Sequence, residues 1–106
     1  MKLVLAIVNK DDSSSVASSL TKGGFSVTKL ATTGGFLMAG NTTFLVGVDD
    51  SRVDEVLEIV EKQSKKRSQM MPSDTYGNTS YASYPIEVTV GGATVLVLNV
   101  ERYEKL

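Results

Sequence analysis

Apolar and polar positions change period several times along the chain, and each change marks an element. Leu3-Val4-Leu5-Ala6-Ile7-Val8 is a near-continuous apolar run whose length and β-branched content predict a strand over Lys2 to Val8, buried on both faces. Asn9-Lys10-Asp11-Asp12 ends it. Val16, Ala17 and Leu20 then fall at helical spacing, with Asp12 or Ser13 as the N-cap and Gly23-Gly24 as the stop, so a first helix is predicted there. From Phe25 to Thr32 the period is two again. Phe25, Val27 and Lys29 share one parity and Ser26, Thr28 and Leu30 the other, which is only partly apolar and free to present Thr28 to a ligand. Beyond Gly34-Gly35, a third strand is predicted over Thr42 to Val48, with Phe44, Val46 and Val48 facing the core and Leu45 and Gly47 facing away.

Asp49-Asp50-Ser51 closes that strand and opens the clearest helix, in which Val53, Val56, Leu57 and Val60 form an i, i+3, i+4, i+7 stripe. Ser51 and Asp54 fit a capping box, and Lys62 through Lys65-Lys66-Arg67 place positive charge at the helix C-terminus, opposing the macrodipole. That basic cluster reads as a solvated face in preference to an anion site. The stretch from Ser68 to Tyr84 has no period, and a connection of that length is either functional or disordered, so a long flexible loop is expected over about residues 68–84. Pro85 opens a strand through Val90, and Gly91-Gly92 signals a hairpin into Ala93 to Val100, ahead of a short charged tail. The order predicts a single α+β domain over residues 1–106, a ferredoxin-like βαββαβ antiparallel sheet with both helices on one face and an extra C-terminal strand. The first and last strands are too apolar to leave the other face in water, which predicts that subunits pack their sheets together.

Composition narrows the chemistry. With 106 residues and 42% hydrophobic content, the chain suits one domain with a core of its own. It has no cysteine and no histidine, which removes thiol chemistry, the usual metal ligands and the usual general base, and no catalytic or metal residue is predicted. A net charge of −1 gives no field to attract a nucleic-acid polymer or an anionic membrane. The apolar run ending before Asn9 is far too short for a membrane span, and the expected location is the cytoplasm.

What chemistry remains concentrates between Thr28 and Val48. Gly34-Gly35 is followed by a strand, and no GK[ST] follows, so the pair does not fit a P-loop or a dinucleotide fingerprint and by itself reads as a turn. Gly47 inside a strand marks close approach by a ligand or another backbone. Asn41 offers the donor and acceptor pair that suits an adenine edge, and Thr28 offers a hydroxyl to a phosphate oxygen. Phe36 and Leu37 at a loop tip want a cover, either a ligand or a neighbouring subunit. An RNA-recognition reading fails for lack of surface aromatics on the third strand, and an acylphosphatase-like reading fails because no arginine precedes Arg52.

KLATTGGFLMAGNTTFLVGVDD, KKRSQMM and YPIEVTVGGATVLVLNVERY closely resemble the PII-like cyclic di-AMP receptor family, the PstA/DarA-like signal transduction proteins. The resemblance covers most of the chain and is carried by TTGGFL together with GNTTF; it is weakest from Pro72 to Ser83. It implies a homotrimer of ferredoxin-like subunits that binds cyclic di-AMP in the clefts between neighbours, catalyses nothing, needs no cofactor, and signals through loop rearrangement to an unknown downstream protein. The ligand positions it implies are Thr28, Gly35, Phe36, Leu37, Asn41 and Gly47, with Gly92 from the late turn. One departure stands out. Where these receptors often carry an asparagine and an arginine at the start of strand two, this chain has Gly24 and Ser26. The missing guanidinium removes a charge-assisted contact worth roughly 1.5–3 kcal/mol. The alternatives are therefore a PII-like sensor of another adenine nucleotide, or an interaction module without a ligand.

Overall fold

The computed structural model describes residues 1–30, 40–72 and 85–106. Gly35, Phe36 and Leu37, and the part of the expected long loop over 73–84, lie outside the described residues. The order is β1 (Lys2–Asn9), α1 (Lys10–Lys22), β2 (Val27–Leu30), β3 (Asn41–Val48), a 3-10 turn (Asp50–Arg52), α2 (Val53–Gln63), β4 (Arg67–Pro72), β5 (Pro85–Val90) and β6 (Ala93–Asn99). Strands pair antiparallel in the order β2-β3-β1-β6, and β4 pairs with β5 in a separate two-stranded ribbon. This mixed α+β arrangement, an antiparallel sheet with two helices, is compatible with the ferredoxin-like expectation.

Alternation along the strands decides which face is covered. Val4, Ala6 and Val8 of β1 and Phe44, Val46 and Val48 of β3 meet Val16 and Leu20 of α1 and Val56 and Val60 of α2, and all ten are buried in one core. The parities expected for β3 and for the α2 stripe therefore hold. Burial of β1 on both faces does not hold within one subunit, because both helices occupy the same side. Leu3, Leu5 and Ile7 remain partly exposed on the open face. There Leu5 is in register with Leu45 and Leu96, and Leu3 with Leu98. Leu96 and Leu98 are each 45% exposed, so the open face is an apolar surface.

Several local expectations are corrected by tertiary contacts. Helix α1 starts before Asp12: Asn9 is its N-cap, and the Asn9 side chain accepts from the Asp11 N–H at 2.9 Å. Asp12 is buried and its carboxylate accepts from Arg67 at 2.8 Å. The Ser51/Asp54 capping box does not form. The chain enters α2 through the 3-10 turn instead, and neither Asp49 nor Arg52, the residues at the two N-cap positions, makes a side-chain capping bond. Helix α2 ends at Gln63, so Lys65, Lys66 and Arg67 lie past its last turn, and Arg67 pairs across the molecule with Asp12 and does not oppose the macrodipole.

The hairpin expected at Gly91-Gly92 is also replaced. Ser68 to Pro72, expected to be loop, join Arg67 in β4, which takes β5 as its partner. Beyond β5, Gly91 and Gly92 adopt φ of 86° and 85° and turn the chain out of the ribbon into the sheet. The Gly92 N–H donates to the Ser64 carbonyl, and a Cβ on Gly91 would lie 2.5 Å from the Lys65 carbonyl oxygen. The strand expected as an extra C-terminal one is thus β6, the fourth strand of the main sheet, and the additional strands sit between α2 and β6.

Candidate functional site

The expected ligand positions that are described fall into two groups at opposite ends of β3. Asn41 begins the strand, opposite Asn9 of β1. It lines a cavity of about 270 Å³ with Asn9, Lys66, Gly91, Gly92 and Thr94, so Asn41 and Gly92 are brought together. Neighbouring Thr43, beside Ile7 on the same face, buries its hydroxyl without a hydrogen-bond partner among the described residues.

Thr28 and Gly47 meet at the other end. Thr28 is exposed on β2 and lies in register with Leu45, while Gly47 is opposite Leu3. Together with Met1, Ser26, Val100 and Tyr103 these residues line a cavity of about 400 Å³ on the open face of the sheet. The Met1 side chain lies over Gly47, where a Cβ would meet its terminal methyl at 3.3 Å. Met1 is itself anchored: its ammonium pairs with Asp50 at 2.9 Å, and its carbonyl accepts from Val100 N–H. The hydrogen bond from that ammonium, with a further pull from Lys2, holds the Asp50 carboxyl below its ordinary value.

The two groups do not form one pocket in a single subunit. Asn41 and Gly47 are separated by the length of β3, about 20 Å at the rise of an extended strand. Each pocket pairs polar groups suited to a nucleotide with surfaces of another kind. The Asn41 end is rich in amides, backbone N–H groups and one lysine; the Thr28 end has hydroxyls on an apolar floor. Among the described residues no cluster of His, Cys, Asp or Glu could hold a metal ion, and no helix is long and apolar enough to cross a membrane.

Sequence reasoning missed Lys66, Asn9, Met1 and Tyr103 as lining residues. Ser26 could be found, since it shares the parity of Thr28. Lys66 could not, because nothing in the run Lys65-Lys66-Arg67 tells one cation from the next. The ribbon separates them. Arg67 is held by Asp12 and by the Lys65 carbonyl, and the stem of Lys66 runs along Gly92 into the space a Cβ would fill.

Residues 1–106, the whole chain, match the protein family described as Cyclic-di-AMP receptor. A solved structure described as the crystal structure of a functionally unknown protein from Pediococcus pentosaceus ATCC 25745 is also similar, with a TM-score of 0.78 and 46% sequence identity over 99% of this chain and 96% of that one. The chain therefore belongs to the cyclic-di-AMP receptor family.

Proposed function

We propose that the protein is a non-catalytic receptor for cyclic di-AMP that acts as a homotrimer, takes its ligand in the cleft between neighbouring subunits, and signals to a downstream protein through rearrangement of its loops. Family membership supports the receptor role. The observation that carries the interface is the separation of the two residue groups. A small cyclic dinucleotide does not span the length of β3, so Asn41 and Gly92 serve the same ligand as Thr28 and Gly47 only when they come from different subunits. The apolar open face supplies the reason for subunits to associate.

Within that cleft Thr28 donates to a phosphate oxygen, Asn41 pairs with an adenine edge, and Gly47 gives a ligand room to approach the backbone. Gly35 serves as a further backbone partner, and Phe36 and Leu37 wall the base. Calorimetric titration of the purified protein with cyclic di-AMP tests the reading. Saturable heat at tens of micromolar ligand or below is expected, with about one ligand per subunit; a folded protein that gives none refutes it. Asn41→Ala weakens binding in the same titration.

A second reading rests on Ser26, which lines the Thr28 cavity where an arginine would offer a charge. It makes the protein a sensor of another adenine nucleotide. A thermal-shift screen of ATP, ADP, AMP and cyclic dinucleotides separates the two, because the ligand that prefers the folded state raises its stability. No turnover of any of these nucleotides is expected.

A further inference from the structure

We infer that Lys66 supplies the positive charge of the ligand site, holding a phosphodiester of the bound dinucleotide in the pocket at Asn41 and Gly92. The inference rests on the receptor reading above and adds to it a residue of this chain.

Three observations carry it. Among the described residues Lys66 is the one charged residue lining the 270 Å³ pocket that holds Asn41, and no carboxylate among them lines it. Its ammonium makes no ion pair or hydrogen bond among the described residues, whereas neighbouring Arg67 is committed to Asp12. Its position is set by the fold: the Arg67 pair fixes the base of the ribbon on one side, and the bond from Gly92 N–H to the Ser64 carbonyl fixes it on the other. Between these ties the lysine stem lies along Gly92, with its Cγ 3.1 Å from where a Cβ would stand.

The neighbouring polar groups add donors suited to the oxygens of an anion. Asn9 and Thr94 bring side-chain donors to the same pocket, beside the Asn41 amide assigned to the base. A phosphodiester carries a negative charge at all physiological pH values, and a lysine meets it as a mobile point charge without demanding the planar fit of a guanidinium. Lys66 thus restores from the ribbon base the charge that Ser26 does not provide just ahead of strand β2. Lys65 does not share this role. It is not among the residues lining the Asn41 pocket; it borders only the adjoining cavity between α2 and β6, which Glu61 also lines and into which Lys66 and Gly92 extend as well.

The test compares the unmodified protein with Lys66→Gln, Lys66→Arg and Lys65→Gln by calorimetric titration with cyclic di-AMP at low and high salt, after thermal unfolding has shown all four to be folded. Lys66→Gln is expected to weaken binding about ten- to a hundredfold at low salt, the value of one charge-assisted contact. The loss shrinks at high salt as screening removes the attraction. Lys66→Arg keeps most of the affinity, and Lys65→Gln stays within about twofold of the unmodified protein. Equal binding by Lys66→Gln overturns the inference while leaving the receptor reading intact, and so does an equal loss in Lys65→Gln, which would reduce the effect to a diffuse field. If the unmodified protein binds no cyclic di-AMP, the receptor reading itself falls and this inference with it.

Discussion

Met1 is held at Gly47 by its ion pair to Asp50 and by a backbone bond from Val100, and the ion pair makes Asp50 the first residue to test. Its carboxyl titrates lower in the folded protein than in the unfolded chain, chiefly because the N-terminal ammonium bonds to it. The pair therefore stabilises the fold once the unfolded carboxyl is ionised, above about pH 4, and the contribution disappears as pH falls through the lower folded value. Asp50→Asn is expected to lower the urea midpoint slightly at neutral pH and to leave it unchanged in strong acid. A difference that persists in acid would assign the effect to something other than the ion pair. Thr43 is the second. Its hydroxyl is buried with no partner among the described residues, so Thr43→Val should be neutral or stabilise by up to about 1 kcal/mol in chemical denaturation. A clear loss of stability would show that the hydroxyl is satisfied after all.

At the scale of elements, the corner at Gly91 joins ribbon to sheet and positions Lys66. Alanine there is strained at φ +86° and brings its Cβ against the Lys65 carbonyl, a backbone atom that cannot step aside. Gly91→Ala is expected to cost about 2 kcal/mol or more in urea unfolding, the sum of a left-handed conformation and a backbone clash. Gly24→Ala, at the same φ but with nothing within 4 Å, should cost no more than about half of that. Equal losses would mean that the close contact at Gly91 is not real. The elements differ in how readable they were for a related reason. Strand β3 and helix α2 border the core, which imposes a period on Phe44, Val46, Val56 and Val60, and their inward faces could be read directly. Strand β4 pairs with β5 alone, outside the main sheet, and Arg-Ser-Gln-Met-Met-Pro carries no two-residue alternation by which a strand is recognised. Asp12 was read as a cap because its partner Arg67 is 55 residues away, beyond any local pattern. The same limit applies to the site. Residue type and strand parity mark Thr28, Asn41 and Gly47 as candidates, whereas Lys66 and Tyr103 reach their pockets only through tertiary turns.

For the whole molecule, the open sheet face predicts association. Leu3, Leu5, Leu45, Leu96 and Leu98 form a surface that a single subunit leaves partly in water. Light scattering should give a mass near three subunits. Leu96→Glu, which places a charge among leucines without touching the helix-covered core, should yield smaller species with unchanged far-ultraviolet circular dichroism. A monomer at all concentrations in the unmodified protein would remove the cleft on which the proposed site depends. The proposed cleft would join the Asn41 pocket of one subunit to the Gly47 pocket of the next, and mixing defective subunits tests that join most directly. Asn41→Ala and Gly47→Val proteins, each weakened in binding as homotrimers, would be unfolded together, refolded as an equal mixture and titrated with cyclic di-AMP. Sharing across subunits predicts that about a quarter of the clefts recover binding, since random assortment gives that fraction two intact halves. No recovery in mixed trimers would contradict the account, because a site contained within one subunit cannot be repaired by its neighbour.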